Sequence, residues 1–264
     1  MFAGPVAPDT IEHMTSNPGA CRPIVLVHGA WHGAWCWAAL QSALDRRGVA
    51  SYAIELPGHG ASELPLADLY GDADHVGAVL DRLALTDVVL VGHSYGGAVI
   101  TGAAAGRTDL AHLVYVTAFA LLDGESVMDP LGSLPPEPTA LQACMQGHDD
   151  GTFTIDPAGA VAAFYGECPP AVAAAAVARL GAQPMSTFTQ PVWAASSTVP
   201  STYVFCARDE AIHPHHQAHL AARCGTRVDL DTDHSPMLSA VDELADILAG
   251  LARPAGRAQA EASR

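Results

Sequence analysis

The chain has no lysine. All 12 of its cationic side chains are arginines, set against 28 acidic residues, for a formal net charge of −16. A surface this acidic repels phosphate backbones and anionic lipid, which argues against nucleic acid or a membrane as partner. Metal-type cysteine spacing is missing too. Cys21, Cys36, Cys144, Cys168, Cys206 and Cys224 are scattered, with no C-x-x-C pair, and read as free thiols of a reducing cytoplasm. No apolar run reaches the ~20 residues of a membrane helix. No basic segment followed by an apolar one opens the chain, and no internal repeat divides it. A chain of 264 residues, half of them hydrophobic, remains. That is enough for one large α/β unit with a sizeable core.

Apolar runs and turn residues alternate in a βα rhythm. Pro23–Val27, Val49–Leu56, Val88–Val91 and His112–Thr117 read as strands, with helices over 37–47, 68–83 and 98–105. This is the signature of a mostly parallel sheet covered on both faces. The rhythm breaks after Phe119. Between there and about Pro200 the prolines cluster and no strand is evident, so 119–200 reads as a helical cap with a helix near 171–180. It resumes with strands at 201–207 and 226–230 and helices near 215–224 and 241–251. The domain reading is therefore a loose arm over 1–22, a core over 23–118 and 201–251, the cap over 119–200, and a disordered tail over 252–264.

The stretch Val88-Val-Leu-Val-Gly-His-Ser-Tyr-Gly-Gly97 carries the chemistry. A Gly-x-Ser-x-Gly turn between a buried strand and a small-residue helix lifts the serine hydroxyl above the sheet. Ser94 is thus the candidate nucleophile. A serine needs a base, and the base needs an orienting partner. Reacting groups gather at the C-terminal ends of parallel strands. Two such ends lie beyond Ser94, Ala207-Arg-Asp-Glu210 and Asp231-Thr-Asp-His-Ser-Pro236. They nominate Asp209 and His234. Glu210, Asp123, Asp231 and Asp233 compete for the orienting role. The oxyanion donors of such a site are the amides after the nucleophile and after the first strand, here Tyr95 and Ala30. Trp31, Trp35 and Trp37 lie beside that loop. His213, His215, His216 and His219 form a dense cluster, but no third ligand accompanies them, so no metal site is expected.

These motifs resemble a known family. His28-Gly-Ala-Trp-His-Gly-Ala-Trp-Cys-Trp37, Gly92-His-Ser-Tyr-Gly-Gly97, Cys206-Ala-Arg-Asp209 and Asp233-His-Ser-Pro-Met237 look like the α/β-hydrolases that include plant salicylate-type methyl esterases, hydroxynitrile lyases and related bacterial esterases, some acting on pyrethroids. The resemblance runs from about Pro23 to Leu251. It implies an α/β-hydrolase fold with a six-stranded sheet and a helical cap, the Ser94–His234–Asp209 triad, and oxyanion donors at Ala30 and Tyr95. The lyases carry threonine, glutamate and lysine where this chain has Gly29, His93 and Ser235, and a chain without lysine lacks their cyanide-stabilising cation. The expected function is a serine carboxylic ester hydrolase acting on a small to medium hydrophobic ester. Alternatives are a thioesterase or cofactor-free perhydrolase on the same triad, or a small-molecule receptor built on the hydrolase fold. The expected substrate contacts are Gly29, Trp31 and His93 from the core, with Phe153, Phe164 and Trp193 from the cap. No cofactor or metal is required. The partner is a small-molecule ester, not nucleic acid or membrane, with a homodimer left open and a cytoplasmic location expected.

Overall fold

The structure is a computed structural model that describes residues 21–193 and 198–254. Six parallel strands form the central sheet: β1 (Ile24–Val27), β2 (Ser51–Ile54), β3 (Val88–His93), β4 (Leu110–Val116), β8 (Ser201–Cys206) and β9 (Thr226–Leu230). Their order across the sheet is β2-β1-β3-β4-β8-β9. The buried Val/Leu/Ile runs suit strands covered on both faces. Side chains alternate between two cores, as the two-residue period of a strand requires. Val25, Val27, Leu90, Leu113 and Tyr115 join one core, beneath α2 (Leu69–Leu83), α3 (Gly96–Ala103) and α9 (Pro214–Ala221). Ile24, Leu26, Val89, Val91, Val114 and Val116 join the other, beneath α1 (Ala38–Arg46) and α11 (Val241–Ala252). A 3-10 turn, Ala34–Trp37, leads into α1, and the short α10 (Pro236–Ser239) follows β9.

Helix α2 begins where Asp68 accepts a hydrogen bond from Gly71 N, an N-cap that satisfies one of the first-turn donors. It ends with Ala84 in the left-handed conformation. Most of the proposed N-terminal arm and C-terminal tail lies outside the described residues. Of the arm, Arg22 is fastened through its amide to Ala252 O, at the end of α11.

The expectation that 119–200 holds no strand is corrected. The segment between β4 and β8 contains α4 (Met128–Gly132), α5 (Ala140–Cys144), β5 (Met145–Gly147), β6 (Thr152–Ile155), α6 (Pro157–Phe164), α7 (Pro170–Val177), β7 (Gln183–Pro184) and α8 (Ser186–Thr189). The three strands make a small antiparallel sheet, β5-β6-β7. None exceeds four residues, too short for alternation to show. The helix expected near 171–180 is α7. Among the described residues, no helix is long and apolar enough to cross a membrane.

Candidate active site

Ser94 sits at the turn between β3 and α3 with φ +53°, a left-handed conformation costly for a residue with a Cβ. The fold enforces it. Ser94 N donates to Val116 O at 3.2 Å, and Ser94 O accepts from Gly97 N at 3.0 Å and Phe119 N at 3.2 Å. The turn is tight enough that a Cβ on Gly96 would fall 2.6 Å from His28 O. Such strain is kept where the surroundings over-determine it, often at a functional site.

His234 follows β9 and Asp209 follows β8, so parallel pairing of the two strands delivers both to one end of the sheet. His234 Nδ1 and Asp209 Oδ2 lie 2.8 Å apart, and both residues are buried. The carboxylate is fixed by four further donors. Ala211 N and Ile212 N reach Oδ1 at 2.7 and 2.9 Å, and Gln217 Nε2 and the Thr117 hydroxyl reach Oδ2. Thr117 itself has φ +37°. Two of the competing acids are engaged elsewhere. Asp231 pairs with Arg208 at 2.9 Å. Asp233 accepts from Glu167 N at 2.8 Å, Ser235 N at 3.0 Å and Ser239 Oγ at 2.6 Å, tying the His234 loop to the cap. Arg208 reinforces that tie through Glu167 at 2.8 Å. Among the described residues no hydrogen bond joins Ser94 Oγ to His234. Such a bond is commonly long in a substrate-free site and tightens in the reacting complex.

His93, an expected substrate contact, is fully buried. Its Nε2–H donates to the His234 carbonyl at 2.8 Å, and the two rings are 4.6 Å apart. It props the His234 backbone from beneath. A Cβ on Gly29 would come within 2.9 Å of both His93 Nδ1 and Ser94 Cβ, so Gly29 lets the loop after β1 approach the nucleophile. Trp193 departs from expectation. It is 65% exposed and lines a surface groove with Tyr70, Ala73 and Gly102, two turns along α3 from Ser94. Phe153 touches the site through its backbone: its carbonyl accepts Trp31 Nε1–H at 3.0 Å, while its ring lies over Gly147.

Phe164 is buried. Its ring lies 5.6 Å from His234, 5.9 Å from Trp31 and 5.4 Å from His32. Phe188 adds to this shell at 5.6 Å from Trp31 and 6.0 Å from Tyr95. Ala30 and Tyr95 flank the serine, and among the described residues neither amide has a hydrogen-bond partner. Several histidines around them are neutral. Burial, then the charge of His59, takes His28 down to about 3, and burial takes His32 down to about 4. Burial and the neighbouring His234 and His32 push His93 well below its ordinary range. Beneath Tyr95 lies a buried acid. Asp72 Oδ2 accepts the Tyr95 hydroxyl at 2.7 Å, and Oδ1 has no partner among the described residues. Burial raises the Asp72 carboxyl to about 7, against the pull of the Tyr95 bond.

Sequence reasoning missed Thr117, Gln217, Gln183 and Asp72. Thr117, directly after β4, was open to detection, because that strand end neighbours Ser94. The others sit on helices or in the cap, and nothing in the local pattern marks them. Among the described residues no group of three or more His, Cys, Asp or Glu is arranged to hold a metal ion.

Residues 24–247 match the family described as the alpha/beta hydrolase family. An alpha/beta hydrolase of Aspergillus novofumigatus, nvfD, is 31% identical over 235 residues, covering 83% of this chain and 92% of that protein. A carbendazim hydrolyzing esterase of a Nocardioides species is 42% identical over 126 residues, covering 44% of this chain and 50% of that one. Among solved structures, a pyrethroid hydrolase from Sphingobium faniae superposes with a TM-score of 0.75 at 26% identity, covering 88% of this chain and 97% of that chain.

Proposed function

The chain belongs to the alpha/beta hydrolase family, and from that premise we propose that it is a serine carboxylic ester hydrolase for small to medium hydrophobic esters. The observation that carries the proposal is the strained Ser94 at the β3–α3 turn beside a buried His234 whose Nδ1 is held by Asp209. Ser94 Oγ attacks the ester carbonyl while His234 Nε2 takes its proton. Asp209 keeps the Nδ1–H tautomer and stabilises the imidazolium. The amides of Ala30 and Tyr95 receive the developing oxyanion, a contribution whose loss typically costs ~3 kcal/mol in the barrier. His234 returns the proton to the departing alcohol. Water, activated by the same histidine, then releases the acid from Ser94. Phe164, Trp31 and Phe188 supply the apolar walls that such a pocket uses to hold an acyl or alcohol group. By their names, one relative is an esterase that hydrolyses carbendazim and another a hydrolase of pyrethroids, in keeping with a weakly polar substrate here. The chain has no lysine, which disfavours the lyase chemistry of similar proteins.

The test is a panel of p-nitrophenyl esters together with a fluorophosphonate probe. Wild type should release p-nitrophenol and gain one covalent adduct on the peptide containing Ser94. Ser94→Ala should fold normally, gain no adduct and lose turnover by about 10⁶-fold. Retention of a tenth of the wild-type rate by Ser94→Ala overturns the proposal.

A further inference from the structure

The two amides assigned to the oxyanion hole come from separate loops, and a buried polar side chain of the cap grips one of them. Gln183, at the start of β7, has no exposed surface. Its Oε1 accepts Trp31 N–H at 3.3 Å and lies 2.8 Å from His59 Nε2. Its Nε2–H donates to Thr187 Oγ1 at 3.0 Å, and Thr187 in turn donates to Pro184 O at 2.6 Å. The next residue, Phe188, packs its ring 6.0 Å from that of Tyr95, whose phenol donates to Asp72.

The first oxyanion loop is held on both peptide planes around Ala30. Gly29 O accepts His28 Nδ1–H at 2.8 Å, and Ala30 O accepts His32 Nδ1–H at 2.8 Å. Those restraints come from the core. The cap adds three more, all on Trp31: Gln183 on its amide, Phe153 O on its indole, and Gly181 N on its carbonyl at 2.8 Å. Trp31 has φ +63°, unfavourable for a bulky residue without such restraint.

The geometry points to Gln183 as a positioning residue that braces the oxyanion hole from the cap: through Trp31 it sets the Ala30 amide. The inference rests on the ester-hydrolase reading. It makes cap docking part of assembling the site, so that the donors align only when the cap is seated. A buried amide with both ends bonded suits this task. It is uncharged, and it leaves a buried donor unpaired when the cap departs, so partial docking is disfavoured.

The experiment uses Gln183→Met, which keeps volume and removes both hydrogen-bonding ends, and Thr187→Val, which keeps shape and removes the hydroxyl that holds the Gln183 amide. kcat and KM are measured on a p-nitrophenyl ester, with the inhibition constants of phenylboronic acid, which adds to a serine as a tetrahedral anion, and of the planar acid product. Misplacing a donor acts on the tetrahedral species. Gln183→Met should lower kcat about 10- to 100-fold, weaken phenylboronic acid by the same factor, and leave KM and acid-product binding within about threefold. Thr187→Val should show the same pattern to a smaller degree. A folded Gln183→Met with wild-type kcat, or with kcat and acid-product affinity lost together, overturns the inference. Should Gln183→Met not fold, a wild-type kcat in Thr187→Val overturns it equally. Wild-type turnover that survives Ser94→Ala would overturn the ester-hydrolase reading and this inference with it. Activity that depends on Ser94 but ignores Gln183 and Thr187 sinks this inference alone.

Discussion

Replacing Asp72 with asparagine should change the stability of the protein with a sign that depends on pH. Asp72 is fully buried, its Oδ1 has no partner among the described residues, and its carboxyl is raised from 3.8 to about 7. An acid raised on folding holds its proton in the folded state after the unfolded chain has released it. The folded state then binds more protons than the unfolded one, so stability falls as pH rises from about 4 and levels off above about 7. At 1.36 kcal/mol per pH unit, the full displacement corresponds to about 4 kcal/mol, of which about 3 kcal/mol falls between pH 4.5 and 8. Asparagine keeps a carbonyl for the Tyr95 hydroxyl and cannot ionise. Its buried NH₂ costs about 1–3 kcal/mol at every pH. The variant should therefore be less stable than wild type at pH 4.5 and at least as stable by pH 8. Urea unfolding of both proteins at pH 4.5, 6 and 8 gives the difference, in which the other titrating groups cancel. A gap that stays constant to within about 0.5 kcal/mol across that range refutes the reasoning, because it would mean that Asp72 titrates alike in both states.

Three further outcomes are expected. Thr117→Val removes one donor from Asp209; stability in urea should fall by about 2 kcal/mol, as for loss of a hydrogen bond to a charged group, and kcat should fall more than KM changes. Phe164→Ala opens space beside His234 and Trp31; it should cost about 3–5 kcal/mol of stability and shift the preferred acyl length in a p-nitrophenyl ester series upward, whereas an unchanged chain-length profile would remove Phe164 from the pocket wall. Burial raises the thiols of Cys168 to about 12 and Cys224 to about 11, and those of Cys36, Cys144 and Cys206 upward as well, so native protein at pH 7 should react slowly with Ellman's reagent at all five and quickly only after denaturation.

The residues of the proposed triad were the legible ones. Ser94 announces itself because a Gly-x-Ser-x-Gly turn has few uses between a Val-rich strand and a small-residue helix. Asp209 and His234 were reachable because parallel strands deliver their C-terminal ends to one edge, which turns a one-dimensional order into a location. Their supports were not legible. Thr117, Gln217 and His93 reach the triad through hydrogen bonds across 92, 8 and 141 positions of sequence, and no local periodicity encodes such a partner. The cap strands failed for a different reason. Pro184 sits in one of them, and only the His148–Gly151 turn, where Asp150 accepts from Thr152 N and Oγ1, hinted at the β5–β6 hairpin. Trp193 was assigned by composition alone. An aromatic in the segment over a site need not face that site, and this one faces outward.

The cap leaves the sheet after β4 and returns at β8, and those two strands are direct neighbours. Its entry and exit are stitched together by Leu113 N to Pro200 O at 2.9 Å and Thr117 N to Val204 O at 2.8 Å. The sheet can therefore close without waiting for the cap, and the entropy of closing so long a loop grows only slowly with its length. For protein engineering this makes the segment an exchangeable cassette with two adjoining junctions. A cap transplanted from a relative would inherit the same serine turn and the same Asp209 anchor. What it would have to bring of its own is a side chain able to grip the Trp31 amide from above.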